Sequence, residues 1–385
     1  MARFSTSIFF TAALILTASL FLLAQNYDVI RRPDREFDPL PSTSPKTVHS
    51  DALPVHSAFP AALPPAPSDA LPFHSEQTAK VAKVSVIYGE VNEYYDAAIQ
   101  SHRRHASRHG YPFHTLRHPV SEGYWNKAEY LHALLVMELA KPVGDRMKWL
   151  MWVDADSAII NPLLPIEIFL PPEGFHDVHF LGNKDQNGLN TGVFFVRVHQ
   201  WSVKMFTKTL GFPIFKTDID LGFSADQTAM ALIFNETENQ PHVLYQPRKW
   251  YNTYQFHHGY EGVPGNLLVH FPGLEEDRWD QMGGWLQTLN NPGSAVKWEV
   301  PYEDTYYPRE IAAFWEQIRT GRDVIERAKG KIEQQVKEEL VTEEQVGNLT
   351  LSAAVRDLEF SLAFETDQPD LVQQAITRVV DVLES

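Results

Sequence analysis

Asp154 and Asp156 stand two residues apart at the end of the apolar run Lys148-Trp-Leu-Met-Trp-Val153. On a continuing strand, side chains at i and i+2 share a face, and a turn at the strand's end can aim both carboxylates at one point. Hard oxygen ligands of this kind suit Mg²⁺ or Mn²⁺, and a divalent ion held there can bridge the two phosphates of a diphosphate ligand. The bland alternative is a turn capped by Asp154 with Asp156 solvated, because D-x-D triplets are common. Context favours the ion: a buried strand precedes the pair, and Ala158-Ile-Ile-Asn161-Pro162 follows it.

The elements that must position these residues read as an α/β domain. Val84 to Tyr88 is a β-branched run ending at Gly89, a buried first strand. Residues 92–109 and Glu129 to Leu139 carry helical spacing. Tyr111 to His114, Lys148 to Val153, Val178 to Leu181, Gly192 to Val198 and Leu267 to Phe271 are strand candidates. Strands alternating with helices predict a mostly parallel central sheet, and open sheets of that type bind ligands at the carboxyl ends of their strands.

Composition narrows the chemistry. The chain has 385 residues, 44% of them hydrophobic and 21% charged, as in an ordinary globular protein. A formal charge of −16 argues against nucleic acid as a partner. The absence of cysteine removes thiol catalysis, thiolate metal sites and disulfides together.

Residues 1–7 precede an uncharged apolar stretch over 8–24, read as an uncleaved signal anchor rather than a cleaved signal peptide. Residues 25–80 are Pro-rich and read as a stem. The order anchor, stem, globular domain is that of type II Golgi membrane enzymes with a lumenal catalytic domain. The sequons Asn235-Glu-Thr237 and Asn348-Leu-Thr350 fit that placement.

Four further blocks flank the strand-and-turn pattern, one before it and three after: Trp125-Asn126-Lys127, then Leu189-Asn190-Thr191-Gly192-Val193-Phe194, Asp226-Gln227 and His270-Phe-Pro-Gly273. With Lys148 to Pro162 they resemble the fungal galactosyltransferase and α-1,6-mannosyltransferase family, glycosyltransferase family 34, which is related to plant xyloglucan xylosyltransferases. The resemblance runs over roughly residues 84 to 286. It implies a GT-A type nucleotide-sugar-binding domain over 81–300 and retaining transfer of a hexose, galactose before mannose, to a glycan hydroxyl.

By the same resemblance Asp154, Asp156 and His270 ligate the metal, with Mn²⁺ favoured over Mg²⁺ by the imidazole. Lys127, Asp154, Asn190 and Gly192 contact the donor, UDP-galactose or GDP-mannose. Asp226 and Gln227 lie at the anomeric centre, where a carboxylate or amide oxygen stabilises positive charge. Each has a plainer reading: a core histidine, a solvated lysine, a turn before a strand, a helix start at Ser224-Ala-Asp226. Ala225 stands where the plant members carry an acidic residue, which bears on substrate identity.

Residues 301–385 read as a C-terminal helical extension. Ile311, Phe314, Trp315, Ile318, Ile325, Ile332 and Val336 recur at helical periods, and a second amphipathic stretch spans Leu351 to Leu383. A helical pair packed on the catalytic domain is expected; a homo- or hetero-oligomer through these helices is the alternative. The aromatic run Trp250 to Tyr254, with His257 and His258, is a candidate acceptor groove or equally core. Two rival functions remain: an inactive membrane-tethered sugar-binding protein, and a phosphatase of the haloacid-dehalogenase type. The latter expects Thr or Val where Ala158 stands.

Overall fold

The computed structural model describes residues 81–338, 346 and 349–384. The expected anchor, the stem and the Asn348 sequon lie outside the described residues. Among the described residues no helix is long and apolar enough to cross a membrane.

A six-stranded sheet in the order β2-β1-β3-β6-β5-β7 forms the centre. Its strands are β1 (Val81–Val86), β2 (Phe113–Leu116), β3 (Trp149–Val153), β5 (Phe180–Asp185), β6 (Gly188–Arg197) and β7 (Val243–Tyr245). The pairs β1/β2, β1/β3 and β5/β7 are parallel, whereas β6 runs antiparallel to both its neighbours. The expected α/β class with a mostly parallel sheet is thus borne out by three pairs to two.

Helices cover both faces, which is why β1, β3 and β6 read as continuous apolar runs rather than alternating ones. Ala82, Val84, Leu150, Trp152, Phe194 and Val196 face α2 (Trp125–Ala140), α3 (Gln200–Phe215) and α4 (Ala225–Phe234), meeting Leu131, Phe206 and Ile233. Val81, Trp149, Met151, Val193 and Phe195 face the other way. There they pack with Ile99 and Ala106 of α1 (Glu93–His109) and with the first half of α7 (Tyr307–Lys337).

A second small sheet shapes the functional end. β4 (Ser157–Ile159) pairs antiparallel with β10 (Leu268–His270), setting Ser157 opposite His270. The strand expected at Leu267 to Phe271 therefore exists but leaves the central sheet. β8 (Gln255–Phe256) and β9 (Gly259–Tyr260) make a short ribbon, followed by α5 (Asp277–Asn290) and α6 (Pro292–Ala295).

The C-terminal region forms three described helices, not two. The stretch expected as one from Leu351 to Leu383 is broken into α8 (Thr350–Phe364) and α9 (Pro369–Glu384). Pro369 disfavours helix for the residue before it, so the chain turns over Glu365–Gln368. Thr366 in that turn bonds Tyr245 N and O and so occupies the edge of β7. Residue 301 is no break in packing: Tyr307, Ile311, Phe314 and Trp315 lie in the core of the sheet domain. The second half of α7 packs on α8 and α9 through Val324, Ala328, Leu358, Val372 and Ile376. The apolar stripes of these three helices meet one another.

Candidate active site

β3 ends at Val153, and Asp154 leaves it with its N–H donated to Gly192 O at 2.8 Å. The chain turns through Ala155 and Asp156 before β4 begins, so the two carboxylates are aimed by a turn and not by strand alternation. Ser157 Oγ donates to Asp154 O at 2.7 Å and closes the turn from behind. Asp154, Asp156 and His270 then offer ligand atoms that all lie within 4.8 Å of one another.

The tautomer of His270 follows from its neighbours. Asn252 Nδ2 donates to Asn183 Oδ1 at 2.7 Å and to Asn190 Oδ1 at 2.8 Å. Its Oδ1 is therefore the atom that faces His270 Nδ1, at 2.7 Å, and Nδ1 carries the proton. That leaves the lone pair of Nε2 facing Asp156 Oδ1 at 3.2 Å. Two acceptors facing each other in a buried place require a cation or proton between them, and a divalent ion with oxygen and imidazole ligands fits that donor set. Burial would raise the Asp156 carboxyl, but His270, when a proton rather than an ion sits on Nε2, and Arg278 outweigh it and hold it below the usual carboxylate range. Burial, only partly offset by Lys127 and reinforced by Asp156, leaves the Asp154 carboxyl above that range.

Lys127 is placed where the sequence put it but is occupied differently. It is 5% exposed, and its ammonium reaches Thr191 O at 2.7 Å, Thr191 Oγ1 at 3.2 Å and Asp154 Oδ1 at 3.2 Å. All three N–H donors have protein partners, and Asp226 Oδ2 lies 3.8 Å away. Burial alone would lower its pKa; Asp154 and Asp226 more than offset this and hold it above the ordinary lysine value. The expected solvated or phosphate-facing amine is instead an internal cation joining two acids.

Asp226, 1% exposed in the first turn of α4, has neither oxygen hydrogen-bonded. The helix-start reading is right about the element but not the chemistry, since no cap bond forms. Gln227 departs from expectation. Its Oε1 accepts from Thr191 N at 2.9 Å, so the oxygen assigned to the sugar is committed to the β6 backbone and the NH₂ end is the free one. Gly192 also corrects the reading of a close backbone approach to ligand: a Cβ there would lie 2.3 Å from His270 Cε1, so glycine makes room for the imidazole. Asn190 sits inside the amide chain, accepting from Gly192 N at 2.9 Å and donating to Asp185 Oδ2 at 3.2 Å.

Several residues were missed by sequence reasoning. Asn252 orients His270; Arg278 lies 3.7 Å from Asp156 Oδ2 and donates to Tyr95 OH at 2.8 Å; Trp152 Nε1 donates to Asp154 Oδ1 at 2.6 Å. Asn252 belongs to the aromatic run read as an acceptor groove, yet Trp250, Tyr251 and Tyr254 are buried, so core packing is what they do. Asparagine inside such a run was the available signal.

Behind the turn, on the far side of β1, lies a second buried polar group. Lys83 Nζ, 0% exposed, meets His102 Nδ1 at 2.9 Å and His105 Nδ1 at 3.3 Å. His102 Nε2 donates to Ser157 O at 3.0 Å and His105 Nε2 to Leu164 O at 2.8 Å. Burial pushes the Lys83 amine well below its ordinary value, and both imidazoles are likewise pushed down.

The galactosyl transferase GMA12/MNN10 family matches residues 172–280, a stretch that holds Asn190, Asp226 and His270 but not Lys127, Asp154 or Asp156. An α-1,2-galactosyltransferase of Schizosaccharomyces pombe is 24% identical over 222 residues, covering 48% of this chain and 57% of that protein. Xyloglucan 6-xylosyltransferase 4 of Arabidopsis thaliana is 26% identical over 194 residues, covering 41% and 33%. The chain thus spans little more than half, or a third, of the length of these relatives. The family resemblance read from the sequence is borne out. Among solved structures, a glycosyltransferase involved in glycosylation of the major capsid of PBCV-1 is 15% identical, with a TM-score of 0.43, over 53% of this chain and 98% of its own. Galactosyltransferase LgtC in complex with donor and acceptor sugar analogs is 13% identical, with a TM-score of 0.37, over 58% and 98%.

Proposed function

We propose that this chain is a divalent-metal-dependent GT-A glycosyltransferase that moves a hexose from a nucleotide-sugar to a glycan hydroxyl with retention. The observation that carries the reading is the lone pair of His270 Nε2 set against Asp156 Oδ1 beside Asp154, a donor set with a place for Mn²⁺ or Mg²⁺. Asp154, Asp156 and His270 would hold the ion, which supplies Lewis-acid stabilisation of negative charge on the leaving diphosphate. Lys127 holds Asp154 and Asp226 together, so the phosphate end and the sugar end of the crater keep their spacing. Asp226, buried with two free oxygens, accepts from sugar hydroxyls or faces the positive charge that grows at the anomeric carbon. The bond from that carbon to phosphate breaks, the acceptor oxygen bonds to the same face, and its proton passes to a phosphate oxygen. The name of the fission-yeast relative favours galactose over mannose as the sugar.

In this reading residues 8–24 anchor the chain in the Golgi membrane as a type II protein, with a lumenal catalytic domain. Asn235, exposed at the end of α4, would then carry a glycan. The test is release of nucleotide and transfer of sugar by the full chain with UDP-galactose and GDP-mannose, with Mn²⁺ or with chelator. Mn²⁺-dependent turnover that vanishes in Asp156→Ala is expected. A fully active Asp156→Ala would sink the reading, and folded protein silent with every donor would make it a sugar-binding module.

A further inference from the structure

Two loops next to the candidate site share one construction. Gly123, at φ +51°, is followed by Tyr124 and then α2; Gly222, at φ +65°, is followed by Phe223 and then Ser224 and α4. Only glycine adopts this left-handed conformation without strain, so each loop turns sharply just before its aromatic ring. Lys127 comes three residues after Tyr124, and Asp226 three after Phe223. The rings meet edge to face at 5.3 Å, although their loops are about a hundred residues apart.

The first loop is pinned. Asn126, 1% exposed, accepts from Val120 N at 2.7 Å and Ser121 N at 3.0 Å, and donates to Gly123 O at 2.8 Å and Tyr88 OH at 3.0 Å. Tyr88 OH donates in turn to Gly123 O at 3.2 Å. Yet Phe223 is 85% exposed and Tyr124 44%. A held ring and a bare phenyl ring, each three residues before a site residue, beside an acid whose oxygens accept no hydrogen bond and whose one ion pair among the described residues is with Lys127, form a built edge rather than a scattered surface aromatic.

We propose that Tyr124 and Phe223 are the platform on which the acceptor saccharide stacks, an inference that rests on the transferase reading above. A hexose ring offers an apolar C–H face to the aromatic rings and hydroxyls to the acids beneath. The surroundings exclude two other occupants. Glu90, Glu122, Asp218 and Asp220, all within five residues in the chain of Tyr88, Gly123 or Phe223, are exposed against one exposed cation in the second loop, Lys216, a balance that repels an anionic bilayer and equally a second copy of the same acidic face. A neutral polyhydroxyl ring meets no such repulsion.

The experiment uses the full chain, the donor that the wild type hydrolyses, and methyl gluco-, galacto- and mannopyranosides as acceptor probes. Phe223 is so exposed that its variants fold. Phe223→Ala is expected to raise the acceptor KM roughly tenfold while the donor KM moves less than about twofold. Phe223→Trp, which keeps a stacking face, is expected to stay within about twofold of the wild-type acceptor KM. An acceptor KM unchanged in Phe223→Ala overturns the proposal. So does a rise in donor KM alone, which would assign the ring to the nucleoside base. A wild-type chain that hydrolyses no donor overturns the transferase reading itself, whatever Phe223 does.

Discussion

Lys83 and Lys127 are both withdrawn from water beside the same sheet, at 0% and 5% exposure, yet their surroundings push their pKa values in opposite directions. Lys127 is met by Asp154 and Asp226, whose charges outweigh the burial that would strip its proton. Lys83 has no ion pair with a carboxylate among the described residues. Its partners are two imidazole nitrogens, and burial pushes its pKa far down. The count of donors agrees. The Nε2 atoms of His102 and His105 donate to carbonyls, so their Nδ1 atoms are acceptors, and a neutral amine has two N–H bonds for two acceptors. Burial is the same in both places; the partners decide. One lysine joins two acids of the candidate site, and the other is braced between two imidazoles. The brace still touches the crater, through His102 to Ser157 and from Ser157 to the backbone of Asp154.

The contrast can be broken by removing each amine in turn. Lys127→Met leaves two acids buried without their cation, and it is expected to abolish transfer and to lower unfolding free energy by roughly 3–5 kcal/mol in metal-free protein. Urea melts of both variants give the comparison. Lys83→Met removes no net charge and orphans two imidazole nitrogens, so a smaller loss of about 1–3 kcal/mol is expected. Equal losses would show that Lys83 is charged after all.

Gly192→Ala asks which of the two clusters serves an ion. Its added methyl drives His270 from its place, so overpacking of about 1–3 kcal/mol is expected together with loss of the rise in melting temperature that Mn²⁺ gives the wild type. Lys83→Met should keep that rise.

The last contrast is a slope in pH. Lys83 has a native pKa well below the 10.5 of the unfolded chain. Between those values the unfolded chain binds a proton that the folded one refuses, so stability falls as pH drops from 10.5, by up to about 1.4 kcal/mol per unit. Lys127, with its native pKa raised, loses its contribution only as pH climbs above the unfolded value. The wild-type slope between pH 8 and 10 should therefore flatten in Lys83→Met and persist in Lys127→Met. An identical slope in all three proteins would remove the neutral amine.

Much of the scaffold was readable from periodicity. The buried strands β1, β3 and β6 and the helices α1 and α2 stand where apolar runs and helical spacing put them, and the ligand trio Asp154, Asp156 and His270 converges as the ordered blocks implied. What periodicity could not see was where polar side chains spend their hydrogen bonds. Lys127 and Gln227 were assigned to a ligand through the family resemblance, and both hydrogen-bond Thr191. Trp250 to Tyr254 looked like a groove because aromatic rings serve cores and sugar faces equally well. The C-terminal stretch looked like one helix because a stripe of apolar residues continues in register across the Pro369 break.

Residue type and order alone marked Asp154 and Asp156 after the third strand and, through the family resemblance, His270 as candidate ligands of one divalent ion. Only the tertiary structure decided that His270 presents Nε2, that Gly192 exists to admit its ring, and that Lys127 ties the two ends of the crater. Those facts depend on Asn252 reaching both His270 and the paired Asn183 and Asn190 of the β5–β6 hairpin, and hydrogen bonds between distant segments leave no period in a sequence.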